Sequence, residues 1–151
     1  MINILHQETV FKTIDKFEPH LQPIFGQMSP QHILEHLVLS LHLSTGKRKI
    51  EFKGYDEVAE KIKASLIYSD AEMPIGIKNP LLKGVLEDLV YNTIDEAKQA
   101  LKNELVYFYN YKSDHPDAVS IHPRMNVLTI DEWAKLHSKH FSHHFKQINL
   151  I

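Results

Sequence analysis

The sequence predicts an all-α protein: a four-helix bundle with a long irregular connection between its middle helices. Three observations carry this. Apolar residues recur at spacings of three and four along four main stretches. Helix start signals precede several of them. No stretch makes a convincing strand. The chain of 151 residues forms a single domain, 1–151, long enough to bury a real core.

The first helix is expected over residues 6–17, where Val10, Phe11, Ile14 and Phe17 share a face. Pro19, Pro23 and Gly26 then break the chain. Ser29 is a natural N-cap for the second helix. Pro30 suits its first position, where the missing N–H would have no partner anyway. Ile33, Leu34, Leu37, Leu41 and Leu43 carry that helix to Gly46. A short helix follows over 56–66. The stretch 67–91, with Pro74, Gly76, Pro80 and Gly84, reads as the long connection with a single helical turn, and as a lid over a site. A long helix over 94–111, capped by Thr93 or Asn92, turns Ala97, Leu101, Leu105 and Phe108 inward. "KSDHPDAVSIHP" reads as a loop. Thr129 and Glu132 form the capping-box pattern that opens the last helix, 130–148.

Composition narrows the function. A charged fraction of 24% and a formal net charge of −2 give no basic surface for nucleic acid. The absence of cysteine excludes disulfides and thiolate metal sites. No apolar run reaches the roughly 20 residues of a membrane helix. The start "MINILHQETVFK" lacks the basic and long apolar parts of a secretory signal. The expectation is a cytoplasmic protein, with neither nucleic acid nor membrane as partner. The basic run "GKRKIEFKG" reads as a solvated loop.

Histidine is the unusual residue, with 11 copies. On the last helix Lys135, Ser138, Lys139, Ser142 and Lys146 collect on one side. Trp133, Leu136, Phe141 and Ile148 collect on the other, and His137, His140 and His144 fall with them. His143 lies at the edge of that arc. A lone imidazole on an apolar face is better explained by a hydrogen bond in the core. Two at i and i+4, His140 and His144, stack one turn apart and can converge on one ion. On the second helix His36 also lies on the apolar side, while His32 falls in the first turn. One imidazole from that helix and two from the last would give three neutral nitrogens. Three protein ligands with open positions make a reactive metal centre, whereas structural zinc is closed by four.

Two segments resemble the DinB/YfiT-like superfamily of metal-binding four-helix bundles, and in particular its DUF1569-type branch. "MSPQHILEHL" is similar to the second-helix pattern that ends in a ligand histidine, here His36. "LTIDEWAKLHSKHFSHHFKQI" resembles the closing pattern, with Leu128, Thr129, Glu132, Trp133, His137, His140, His143, His144 and Gln147 at the matching places. "HPRMNVL" fits the same branch. The resemblance implies a DinB-like fold and a divalent ion, zinc or nickel, held by His36, His140 and His144. His143 would then pack beside the site and Gln147 would orient a ligand. Many relatives carry Glu directly after the first histidine of the closing motif, where this chain has Phe141, and Gly before the final Gln, where it has Lys146.

Related proteins include thiol-dependent transferases and metal-dependent hydrolases, so the first expectation is a metal-dependent enzyme with a small-molecule or thiol substrate. His137, Glu35, Tyr107, Tyr109 and His122 are its candidate catalytic groups, each with a simpler structural explanation. Tyr107 and Tyr109, two apart on a helix, cannot easily both face inward. The second expectation is a metal-binding or stress-related bundle that has lost the reaction. The third is a structural bundle whose histidines satisfy one another. A homodimer is expected in each case.

Overall fold

The computed structural model describes residues 1–77 and 85–151. Its elements are α1 (Gln7–Asp15), α2 (Pro30–Ser44), α3 (Glu57–Ile67), α4 (Ile94–Asp114), β1 (Val119–His122), β2 (Asn126–Thr129) and α5 (Ile130–Gln147). The protein is mostly helical. Helices α1, α2, α4 and α5 share one core that includes Ile14, Leu34, Leu101, Leu105, Phe108, Phe141 and Phe145. This is compatible with a helical bundle. A smaller cluster under α3 and the strands joins Leu43, Leu66, Met125, Leu128, Trp133 and Leu136.

Capping chemistry sets the starts. The Ser29 hydroxyl accepts from His32 N–H, with Pro30 opening α2. Thr93 caps α4 through Glu96 N–H. The Thr129–Glu132 box is complete: each side chain accepts the other residue's backbone N–H. Glu132 also receives the Tyr68 hydroxyl and the Lys63 ammonium, which ties α3 to α5. Helix α1 stops two residues short of its expected end. Lys16 and Phe17 donate instead to Thr13 and Ile14, three residues back, and Phe17 is still fully buried.

Three expectations are corrected. The supposed loop before α5 contains an antiparallel hairpin, with Val119 opposite Thr129 and His122 opposite Asn126. A two-stranded sheet therefore accompanies the helices. The turn closes because Asn126 adopts φ +56°, which asparagine tolerates, while its side chain donates to the Gly54 carbonyl. Next, the hydrophilic side of α5 is largely covered. Ser138 and Ser142 accept N–H groups from Ile4 and Ile2 at 3.0 and 2.7 Å, so the chain start lies along the helix. Lys139 is buried and donates to the carbonyls of Ser69 and Ala71. Finally, the basic run is only partly solvated: Arg48 is half-buried and lines a cavity.

The expected connection begins as helix, since α3 extends through Ile67. Met73–Ile77 and Val85–Glu87 line the same cavity as Arg48. Residues 78–84 of it, with Pro80 and Gly84, lie outside the described residues, so the single helical turn and the lid expected there are not addressed. No helix among the described residues is long and apolar enough to cross a membrane.

Candidate metal centre

His36 projects from the second turn of α2, and His140 and His144 from successive turns of α5. Their ligand nitrogens all lie within 4.8 Å of one another. His140 Nε2 is 2.9 Å from His36 Nε2 and 3.0 Å from His144 Nε2. The rings meet edge to face, with centroids 4.7–4.9 Å apart.

The outer nitrogens fix the inner ones. The side-chain N–H of Gln147 donates to the Phe25 carbonyl at 2.9 Å. Its oxygen is therefore the atom 2.7 Å from His144 Nδ1, and that nitrogen must donate. His144 Nε2 is left with a lone pair facing the other two rings. His140 Nδ1 lies 3.3 Å from the Ser40 hydroxyl, one turn beyond His36 on α2.

Protons alone satisfy this arrangement poorly. If His140 Nε2 carries a hydrogen, one proton must serve two acceptors. If it does not, two lone pairs face each other across 3.0 Å toward His144. A cation would relieve that repulsion, because each nitrogen would direct its lone pair at it. For metal–nitrogen bonds of about 2.1 Å, ligands at right angles lie about 3.0 Å apart. The two separations of 2.9 and 3.0 Å match that spacing, and all three nitrogens lie within 4.8 Å of one another, so the donor set fits a divalent ion.

Electrostatics keep the imidazoles neutral, the form that binds metal. Burial pushes His36 down to about 4, aided by neighbouring His143. Burial holds His140 well below the ordinary histidine value, as do His144 and His36. His144 is lowered by burial and by His36.

The trio forms part of the wall of a cavity of about 590 Å³, within the range of small-molecule sites. Leu39, Leu43, Ile62, Leu66, Met125 and Leu136 supply apolar wall. His143 also lines it, against the Phe25 ring at 5.1 Å, consistent with a packing role beside the trio.

Of the candidate catalytic groups only His122 reaches this cavity. Its Nδ1 accepts from Arg124 N–H at 3.0 Å, so Nε2 carries the proton. Burial and the Arg124 charge push it down to about 4. The others have structural partners. Glu35 accepts from the backbone N–H groups of Val90 and Tyr91. The Tyr109 hydroxyl donates to the Ile4 carbonyl, and burial raises it to about 12. Tyr107 is exposed beneath the Lys47 ammonium. His137 is fully buried among Phe108, Trp133 and Phe141, with no hydrogen-bond partner among the described residues. His32 stays outside the trio, its Nδ1 2.7 Å from the Ser29 hydroxyl.

Sequence reasoning missed Ser40, Glu87, Arg48 and Arg124 as site residues. Ser40 was legible as one turn from His36. The arginines carried a compositional signal, being the chain's only two.

Comparison of the chain with protein-family models, with curated proteins and with solved structures found no match.

Proposed function

We propose that this chain is a DinB-like metal-dependent enzyme, a hydrolase or thiol-dependent transferase, that binds zinc or nickel at His36, His140 and His144. One observation carries the reading. Three imidazole nitrogens from two helices converge at 2.9 and 3.0 Å, an arrangement one proton serves poorly, on the wall of a cavity.

Once bound, a divalent ion supplies Lewis acidity and makes water or a thiol nucleophilic near neutral pH. The chain's own groups do the rest. The neutral imidazoles present lone pairs, and Gln147 holds His144 in the required tautomer. The apolar part of the wall offers a bound molecule a surface away from water. Glu87, the single carboxylate residue lining the cavity among the described residues, and His122, protonated at Nε2, are available to carry a proton.

A second reading, a metal-binding or stress-related bundle without catalysis, draws on Phe141. That ring is fully buried against Phe145, where the resembling family often has Glu. Glu35, the acidic residue nearest His36 in sequence, is occupied by backbone N–H groups.

The test is elemental mass spectrometry on protein purified without a histidine tag, beside His36→Ala and His140→Ala. Near-stoichiometric zinc or nickel, lost in both variants while circular dichroism stays unchanged, supports the centre. No metal after reconstitution overturns it. Assays of ester hydrolysis and thiol transfer on the loaded protein then separate the two readings.

A further inference from the structure

The chain has fifteen lysines and only two arginines, Arg48 and Arg124. Both arginines line the cavity beside the histidine trio, and no lysine does among the described residues. They arrive from unrelated segments, one after α2 and the other in the β1–β2 turn. Both are half-buried. Neither makes an ion pair within 4.0 Å among the described residues, although eight lysines do. Arg124 is close enough to His122 for its charge to depress that imidazole.

A half-buried guanidinium without a carboxylate partner lacks compensation for its lost hydration, unless a ligand supplies it. Guanidinium is also the group suited to planar anions, because its fork of N–H donors matches two oxygens at once. Among the described residues the lining carries two fixed positive charges against the one carboxylate of Glu87. This excess sits in a protein of net charge −2. Around it the wall is apolar, with Leu43, Leu66, Met125 and Leu136.

We propose that the cavity binds a small molecule with an apolar body and a terminal anionic group, a carboxylate or phosphate, gripped by Arg48 and Arg124. This rests on the reading of the cavity as the substrate site of the metal centre, and it names the class of substrate. The arginines would hold one end of the molecule and orient the rest along the apolar wall.

The test uses octanesulfonate, whose sulfonate is a weak metal ligand, and 1-octanol as its uncharged counterpart. Binding is measured by calorimetry on metal-free and zinc-reconstituted protein, for the wild type, Arg48→Met and Arg124→Met. Methionine keeps an apolar stem in place of each arginine, and circular dichroism checks that each variant folds. Octanesulfonate should bind the wild type in both metal states and at least about tenfold more weakly in each variant. 1-Octanol should bind more weakly than octanesulfonate and equally to all three proteins. Absence of saturable octanesulfonate binding to the wild type overturns the proposal. So does binding unchanged in both variants, or 1-octanol binding as tightly as the sulfonate. Arginine-dependent binding to a protein that takes up no zinc would leave the anion site standing and remove the metal centre. Zinc uptake with arginine-independent binding would do the reverse.

Discussion

His144 Nδ1 donates to the side-chain oxygen of Gln147 across 2.7 Å, and the Gln147 amide N–H in turn donates to the Phe25 carbonyl. The relay runs from the end of α5 to the loop before α2. It sets the imidazole tautomer and anchors that loop with one side chain. A backbone bond from Ile24 N–H to the Gln147 carbonyl, 2.8 Å long, adds a second tie at the same place.

Gln147→Ala should therefore affect metal and stability separately. Losing the partner that orients a ligand imidazole typically weakens metal binding by about 10–100-fold. Losing the hydrogen bond to the loop should cost about 1–2 kcal/mol. Competition titration with a zinc chelator reads the first, and urea unfolding of the metal-free protein reads the second. Gln147→Glu keeps an acceptor for His144 Nδ1 and should recover most of the zinc affinity without the loop bond. Wild-type zinc affinity in Gln147→Ala would show that the relay does not govern the tautomer.

Gly26 guards the same relay. Its φ of +72° suits glycine, and a Cβ there would lie 2.8 Å from Gln147 Nε2. Gly26→Ala should push the amide away and strain the backbone, lowering stability by about 1–3 kcal/mol and weakening zinc binding. Gly54 has a similar positive φ, +90°, with nothing within 4 Å of its Cβ position. Gly54→Ala is thus the control: it carries the backbone strain without the clash. A chelator titration showing the same zinc affinity in both alanine variants would remove Gly26 from the account.

Acid should destabilise the metal-free fold through His137. Its folded pKa is lowered from 6.5 to about 3 by burial and by His122, and its ring has no hydrogen-bond partner among the described residues. Below pH 6.5 the unfolded chain takes up a proton that the folded chain refuses. Stability from this group is therefore complete above pH 6.5 and falls as pH drops toward 3, by up to about 1.4 kcal/mol per pH unit. His137→Leu should remove one proton's share of that slope. By replacing an unpaired polar ring, it should also hold or raise stability at pH 7. Urea unfolding at pH 4, 5 and 7 decides the point. Parallel loss in both proteins would mean that His137 takes no part.

Much of this arrangement was legible in the sequence, and the gaps have physical causes. Helix α2 was readable because Ser29 and Pro30 announce its start, and α5 because Thr129 and Glu132 do. Placing each imidazole on the apolar arc of its helix offered His36, His137, His140 and His144, and the resemblance to metal-binding bundles singled out His36, His140 and His144. The hairpin was hidden because each strand has only four residues, and its turn depends on Asn126, not on a glycine. Ser138 and Ser142 read as a solvated face because a helical projection shows no chain segment arriving from 140 residues away. Their hydroxyls can face water or accept a backbone N–H, and only the fold decides between them. Arg48 read as loop because charge runs reveal composition and not direction.

Phe141 tests whether this fold could take an acidic residue where the resembling family often has one. The ring is fully buried, 5.8 Å from Phe145 and 6.2 Å from His137 by centroid. It fills the core between helices. Phe141→Ala should cost about 3–5 kcal/mol through the cavity it leaves. Phe141→Glu removes the same packing and also buries a carboxylate among rings, of which only the neutral His137 imidazole offers it a polar neighbour. It should therefore be less stable than the alanine variant, or fail to fold at 25 °C. Thermal unfolding with Phe141→Leu as the conservative control measures both. If Phe141→Glu folded as stably as Phe141→Leu, the side chain would have found a polar outlet. Hydrolysis and thiol-transfer rates of the zinc-loaded variant would then show whether a carboxylate at this position serves the reaction. If it is as unstable as its burial implies, the position serves packing, and under the proposed function the groups left to carry a proton are Glu87 and His122 on the cavity wall.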